Sequence, residues 1–255
     1  SASHANSNYT IDLGEGANTL TMGNAIDLSL SSISLSNVDV IQLGTAGDTT
    51  NATFQAADIS GQSWTMKADA TADEGFTVVG KATTTTIDLS TLTIDRTIDK
   101  AVSATTIDGS NGTGAQAITG TIVADTITGG ASHDTIIAGN GADTITGGAG
   151  NDIINITEAT ADSAADEVIF NTAATNGQDT IIGFRTGSDK VTFDGADTSA
   201  DGGTGTAAAA TVVADSAVAL VAGAANYDIS GVVDFTADHL IEVTTALSSN
   251  GDLSL

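Results

Sequence analysis

The chain has 255 residues, 32 of them acidic and 6 basic, for a formal charge of −26. That excess of carboxylate disfavours nucleic acid and bare anionic membranes as partners and favours divalent cations. The chain has no cysteine, which excludes disulfides and thiolate metal sites. It has no proline either, where ordinary usage near 5% predicts about a dozen, and this suits extended ladders that proline would interrupt.

Residues 1–110 are rich in Thr and Ser and alternate in polarity. TIDLGEG, NTLTMG, IDLSLSSISLS and VDVIQLG read as short strands joined by glycine or polar turns. In TTTTIDLSTLTID (83–95), Ile87 and Leu89 share one face while Leu92 and Ile94 share another, which places a bulge or turn near Thr91. The spacing predicts a β-solenoid-like or sandwich domain, with Ser/Thr ladders on a solvated face. Trp64 reads as a core anchor.

From Gly120 to Asn155 the chain repeats every nine residues: GTIVADTIT, GGASHDTII, AGNGADTIT and GGAGNDIIN. The sixth position is Asp125, Asp134, Asp143 and Asp152, and the eighth is Ile127, Ile136, Ile145 and Ile154. A degenerate unit, NGTGAQAIT (111–119), precedes them with Gln116 in place of the aspartate. Such a period demands a coiled backbone in which every ninth residue is equivalent. Each unit divides into a glycine-bearing turn and a short strand whose eighth residue points inward. If two units are taken to complete a coil, successive turns lie on opposite edges. Asp125 should therefore stack on Asp143, and Asp134 on Asp152. Tight turns need glycine because φ > 0 is costly for a residue with Cβ. Carboxylates and carbonyls aimed between stacked turns make the oxygen-rich environment that calcium prefers.

These units resemble the nonapeptide G-G-x-G-x-D-x-U-x of RTX (repeats-in-toxin) proteins, in which U is a large apolar residue. The third unit departs at Ala138 and the second at Ser132, so 138–146 and 147–155 match best. The resemblance implies a calcium-binding parallel β-roll. It also implies carbonyl ligands from Gly130, Ser132, Gly139, Gly141, Gly148 and Gly150, beside the carboxylates of the four repeat aspartates. The expectation is that the tract is largely unfolded without calcium. Further along, NGQDTII repeats the second half of the pattern, making Asp179 a further candidate ligand. DTIIGFRTGSDKVTF resembles the strand that caps RTX rolls. Asp189 in that run reads either as a ligand or as a solvated turn residue paired with Lys190.

Residues 201–225 are Ala/Val-rich, and a helix over about 207–221 competes with a buried strand pair. Residues 236–247 read as a short amphipathic helix capped by Thr236, with Leu240, Ile241 and Leu247 as its apolar contacts. No hydrophobic run reaches the roughly 18 residues of a membrane helix. Residues 1–10 show no secretory leader and no initiator methionine, so the chain is expected to be processed or cut from a longer one. Whether NGDLSL at the end is a secretion signal stays open.

Catalytic signatures do not emerge. His4, His133 and His239 are scattered without zinc spacing, and G-x-S-x-G and the P-loop pattern do not occur. His133 holds a variable turn position and reads as solvated. The expectation is therefore an all-β, non-enzymatic protein in three parts. A Thr/Ser-rich β domain spans 1–110, a calcium-binding β-roll with capping strands spans 111–195, and a short C-terminal α/β segment spans 196–255. The stretch ISLSNVDVIQLG followed by TNATFQAADISG, with low cysteine, abundant Thr, Ala, Asp and Gly and the repeats, resembles bacterial surface-layer (S-layer) proteins over about residues 10–195. That resemblance implies a secreted cell-surface subunit, exported by type I secretion, that self-associates into a calcium-dependent lattice with cell-surface polysaccharide as a further partner. Two alternatives stand beside it: an RTX adhesin or biofilm-matrix module, and the C-terminal secretion region of a type I secreted enzyme.

Overall fold

The computed structural model describes residues 9–22, 26–29, 33–44, 51–68, 74–96, 102–158, 164–171, 178–185, 188–194, 209–214 and 242–243. Among these, nearly all regular structure is strand, and neighbouring strands pair in parallel. The N-terminal strands are β1 (Tyr9–Asp12), β2 (Thr19–Met22), β3 (Ile33–Ser36), β4 (Val40–Leu43) and β5 (Asn51–Gln55). A single helical turn, α1 (Ala56–Ile59), leads to β6 (Thr65–Lys67), β7 (Glu74–Val79), β8 (Thr86–Asp88), β9 (Thr93–Ile94) and β10 (Val102–Asp108).

Here each coil has three sides. From β7 the chain passes to β8, then to β9, and returns as β10 beside β7, each strand belonging to a different sheet from the one before. The predicted break near Thr91 is the corner between β8 and β9, a turn at Ser90 and Thr91. One coil earlier, α1 leads onto the side that β8 occupies. The Gly61 N–H donates to the Asp88 carbonyl at 2.8 Å, and the Asp88 N–H donates to Ser60 Oγ at 2.8 Å. Trp64 is buried in this core, and Phe54 and Phe76 meet edge to face with centroids 6.2 Å apart.

Beyond β10 the coil loses its third side. The strands β11 (Ala117–Thr119), β12 (Ala124–Thr128), β13 (Thr135–Ile137), β14 (Thr144–Thr146), β15 (Ile153–Asn155), β16 (Glu167–Asn171), β17 (Gln178–Phe184), β18 (Lys190–Asp194), β19 (Ala209–Ala214) and β20 (Glu242–Val243) divide between two sheets. One runs β5-β7-β10-β12-β14-β16-β18 and the other β8-β11-β13-β15-β17-β19-β20. This is a parallel β-roll. The central residue of each repeat strand faces inward because side chains alternate along a strand. Val78, Ile107, Ile127, Ile145 and Val168 stack in register from one sheet, and Ile87, Ile118, Ile136, Ile154 and Ile181 from the other. All ten are at most 1% exposed. Burial on that scale is worth about 1.5–3 kcal/mol per side chain. The outward column Thr77, Thr106, Thr126 and Thr144 forms the threonine ladder expected on a solvated face.

Past the repeats, Gly183 at φ +87° interrupts β17, and the register shifts between Ile182 and Phe184 so that Phe184 is buried. The helix option at 207–221 gives way to strand at Ala209–Ala214, and Glu242–Val243 is strand where 236–247 reads as helix. The rest of both segments, including Leu240, Ile241 and Leu247, lies outside the described residues. β17 offers a parallel edge, and the β-branched run of Thr211, Val212 and Val213 pairs with it.

Turn glycines set how closely coils stack. Gly139 and Gly148 adopt φ of +112° and +105°, and a Cβ on either would overlap the carbonyl oxygen of Thr121 or Gly130 one coil back. Gly139→Ala is expected to lower stability in calcium by at least about 2 kcal/mol, read as a fall in urea midpoint. Gly114→Ala should cost far less, because Gly114 has no positive φ and its Cβ would meet nothing within 4 Å.

Candidate metal centre

The sheet register brings the sixth-position residues into two columns, one on each edge of the roll. Along one edge the Asp125 N–H donates to Asp143 Oδ1 at 2.8 Å, the Asp143 N–H to Asp166 Oδ1 at 2.9 Å, and the Asp166 N–H to Asp189 Oδ1 at 3.2 Å. Along the other the Gln116 N–H donates to Asp134 Oδ1 at 2.7 Å, the Asp134 N–H to Asp152 Oδ1 at 2.8 Å, and the Asp152 N–H to Asp179 Oδ1 at 2.8 Å. The stackings of Asp125 on Asp143 and of Asp134 on Asp152 are those the nine-residue period predicts, and the partners are 18 residues apart. All seven aspartates are buried, Asp189 being the most exposed at 8%.

One oxygen of each carboxylate thus holds the next coil in register. The second oxygen separates the turns into two kinds. In the irregular units it is satisfied by the chain itself: Thr121 N–H donates to Asp125 Oδ2 at 2.6 Å, and Gly130 N–H to Asp134 Oδ2 at 2.6 Å. In the two best-matching units the equivalent residues are Gly139 and Gly148 with positive φ. There Asp143 Oδ2 and Asp152 Oδ2 are buried without a hydrogen-bond partner. A buried carboxylate oxygen left unpaired is costly, and the cost is relieved by a cation.

The turn residues stack as the period requires. Gly139 and Gly141 lie against Thr121 and Val123, and Gly148 and Gly150 lie against Gly130 and Ser132. The Gly130 carbonyl accepts the Ala149 N–H at 3.0 Å, and the Ser132 hydroxyl donates to the Thr113 carbonyl at 3.0 Å. His133 is exposed, as expected, and its Nδ1 accepts the Asn151 N–H at 2.6 Å.

Burial raises the pKa of Asp125, Asp134, Asp143, Asp152 and Asp179. Asp143 is pushed up to about 8, first by burial and then by the charge of Asp125. Burial takes Asp125 and Asp179 to about 7 and Asp152 to about 6, and raises Asp134. All lie above the ordinary carboxylate value of about 3.9. The metal-free fold therefore gains stability from protonation: the gain is complete below about pH 4 and is lost as pH rises through about 6–8. Thermal melts in chelator should show a higher midpoint at pH 5 than at pH 8.5. Calcium needs the deprotonated form, so with calcium the order should reverse and uptake near pH 7 should release protons into a weakly buffered solution. A chelated midpoint that rises with pH would contradict this assignment.

Residues 119–154 match the family model of the RTX calcium-binding nonapeptide repeat, in four copies. This segment is an RTX repeat tract. No curated protein and no solved structure matches the chain. RTX nonapeptide repeats bind calcium, and RTX repeat proteins are in general secreted, extracellular calcium binders. The residues present fit that ion: the donors are hard oxygens, and the two best RTX units each leave one buried carboxylate oxygen unsatisfied.

Sequence reasoning did not single out Asp166 or Glu158. The signal for Asp166 was present, since Asp166-Glu167-Val168 keeps the D-x-U spacing with valine for isoleucine, but the preceding insertion breaks the RTX frame. Asp189-Lys190-Val191 keeps it too. Asp189 is a buried column member and not a solvated partner of Lys190, whose Nζ bonds Glu167 Oε1 at 2.8 Å. The reason is register: β18 pairs with β16, which sets Lys190 beside Glu167 on the outer face and Asp189 beneath Asp166.

Proposed function

We propose that this protein is a secreted, non-enzymatic structural component of the bacterial cell surface, an S-layer subunit that assembles a calcium-dependent lattice. The observation that carries the reading is the double column of buried aspartates in a chain of formal charge −26. Bound calcium supplies positive charge to the carboxylates and oxygens of the stacked turns. The ligands proposed are Asp125, Asp134, Asp143, Asp152 and Asp179, with the carbonyls of Gly130, Ser132, Gly139, Gly141, Gly148 and Gly150. The aspartates whose second oxygen is unsatisfied, Asp143 and Asp152, are the strongest members. In the cytosol the aspartates repel, which keeps the chain extended for type I export. Outside, sites of about 10⁻⁴–10⁻³ M affinity suit extracellular calcium.

The division at 110 is proposed as a change of coil type within one solenoid, and that at 195 as the end of the capping strands, after β18. The three-sided coils of 1–110 hold a core that does not depend on carboxylates, and the two-sided coils of 111–195 form the metal-dependent part. The surface outside the columns stays acidic, so neighbouring copies repel unless divalent cations screen or bridge them. Among the described residues no helix is long and apolar enough to cross a membrane. We assign attachment to a cell to surface polysaccharide.

Electron microscopy of the purified chain in millimolar calcium and in chelator tests this reading. Ordered sheets or tubes in calcium alone are expected. Dispersed particles in both conditions would replace it with an adhesin module or the secretion region of a larger exported protein.

A further inference from the structure

The acidic column on one edge continues past the RTX tract. After β15 the chain makes a longer excursion and returns as β16, so Asp143 is stacked on Asp166 across 23 residues, not 18. That excursion begins with Glu158, a residue outside the family-matched segment. Asp143, Glu158 and Asp166 each offer a carboxylate oxygen, and these oxygens all lie within 4.8 Å of one another. Calcium–oxygen distances run about 2.3–2.6 Å, so oxygens of one calcium shell lie up to about 5 Å apart. Asp143 is 1% exposed, and its Oδ2 has no hydrogen-bond partner.

The following interval on the same edge shows how this column ends. Between Asp166 and Asp189 lies the guanidinium of Arg185. It bonds Asp189 Oδ1 at 3.1 Å and the Ala164 carbonyl, and it stands 3.8 Å from Asp166 Oδ2. The Arg185 N–H also donates to Asp189 Oδ2 at 2.6 Å, the contact that Thr121 makes with Asp125. A fixed side-chain cation thus answers the carboxylates of the last interval and reaches Asp166 and Glu158 as well, while the interval before it gathers three carboxylates.

We propose that Asp143, Glu158 and Asp166 form an additional calcium site one coil beyond the RTX repeats, with Arg185 closing the column behind it. The charges support a divalent ion. Three carboxylates and one calcium leave one negative charge, which the Arg185 guanidinium beside Asp166, shared with Asp189, offsets in part. The third carboxylate makes this site more acidic than the repeat intervals, each bordered by two aspartates, and it is expected to fill at lower calcium than they do. Its place at the joint where the regular period stops gives it a role: it ties Glu158 and Asp166 to the last full repeat turn and holds β16 in register with β14.

The inference rests on the calcium-binding reading of the repeats, and the test separates the two. Calcium is titrated into full-length protein and into Glu158→Gln, with heat and far-UV circular dichroism as readouts. The variant is expected to bind one calcium fewer, or to lose the tightest phase by at least tenfold, with unchanged circular dichroism at saturating calcium. Identical stoichiometry and affinities in the two proteins would overturn the additional site and leave the repeat sites standing. Absence of calcium binding by the parent protein would overturn both. Should the variant not fold, crystals of the parent protein grown in calcium decide. Anomalous density within bonding distance of all three carboxylates supports the site, and density confined to the repeats refutes it.

Discussion

Chelation at neutral or alkaline pH is expected to unfold the roll from β11 to β18 while leaving much of the three-sided region from β4 to β10 intact. Arg185 stands beside Asp166 and Asp189, whereas Asp125, Asp134, Asp143, Asp152 and Asp179 are each at most 2% exposed and, among the described residues, form no salt bridge with lysine or arginine. Burying an ionised carboxylate costs several kcal/mol even after relaxation. Five such groups exceed the whole net stability of an ordinary domain, about 5–15 kcal/mol. The isoleucine stacks oppose this, but repeat strands of three residues bring only one central apolar side chain each to the core. Ligand binding reverses the balance by mass action, at about 2.7 kcal/mol for each site filled at one hundred times its dissociation constant. Hydrogen exchange read by mass spectrometry checks the prediction region by region. Amides of β12 to β17 should lose protection in chelator and regain it in millimolar calcium, while those of β5 and β7 change little. Uniform protection in both conditions would show that the apolar stacks alone hold the roll.

Asp143→Asn is expected to have opposite effects in the two states. Asp143 borders two intervals, one shared with Asp125 and one with Asp166. The amide keeps an oxygen for the Asp125 N–H but loses the charge. A tenfold loss of calcium affinity is 1.4 kcal/mol, so weakening both intervals tenfold should cost about 3 kcal/mol in calcium. In chelator at pH 8 the same change removes a carboxylate whose pKa burial and Asp125 have already pushed up to about 8. The variant should then be more stable than the parent. Denaturant unfolding of both proteins in both states completes the comparison. Equal destabilisation with and without calcium would mean that Asp143 serves only as a hydrogen-bond acceptor. Asp88→Asn makes a suitable control, because Asp88 lies outside both columns and, among the described residues, its side chain bonds Ser90 alone.

The repeat tract was legible in the chain because its determinants are local. Aspartate at the sixth place and isoleucine at the eighth define the unit, its turn and its inward face, and with the two units per coil that the RTX resemblance implies they give the partners Asp125–Asp143 and Asp134–Asp152. Asp179 was reached in the same way, since Asp179-Thr180-Ile181 preserves the unit's spacing. The corner at Ser90 and Thr91 was legible as a change of apolar face. What the tertiary structure alone decided depends on which coils stack. A period cannot be extended across an insertion of unspecified path, so only the pairing of β14 with β16 shows that Asp166 continues the column and that Glu158 returns to Asp143. The pairing of β16 with β18 likewise turns Asp189 inward and gives Lys190 to Glu167. Whether a given aspartate keeps an oxygen for a metal was also invisible in the motif. It turns on the φ of the residue four places earlier, which directs an N–H onto the carboxylate in the irregular turns and spares Asp143 and Asp152 in the regular ones. At the C-terminal end, Ala and Val permitted either helix or strand at 209–214, and the free parallel edge of β17 decided for strand, because an unpaired ladder of N–H and C=O groups is satisfied by a neighbouring strand and not by a helix.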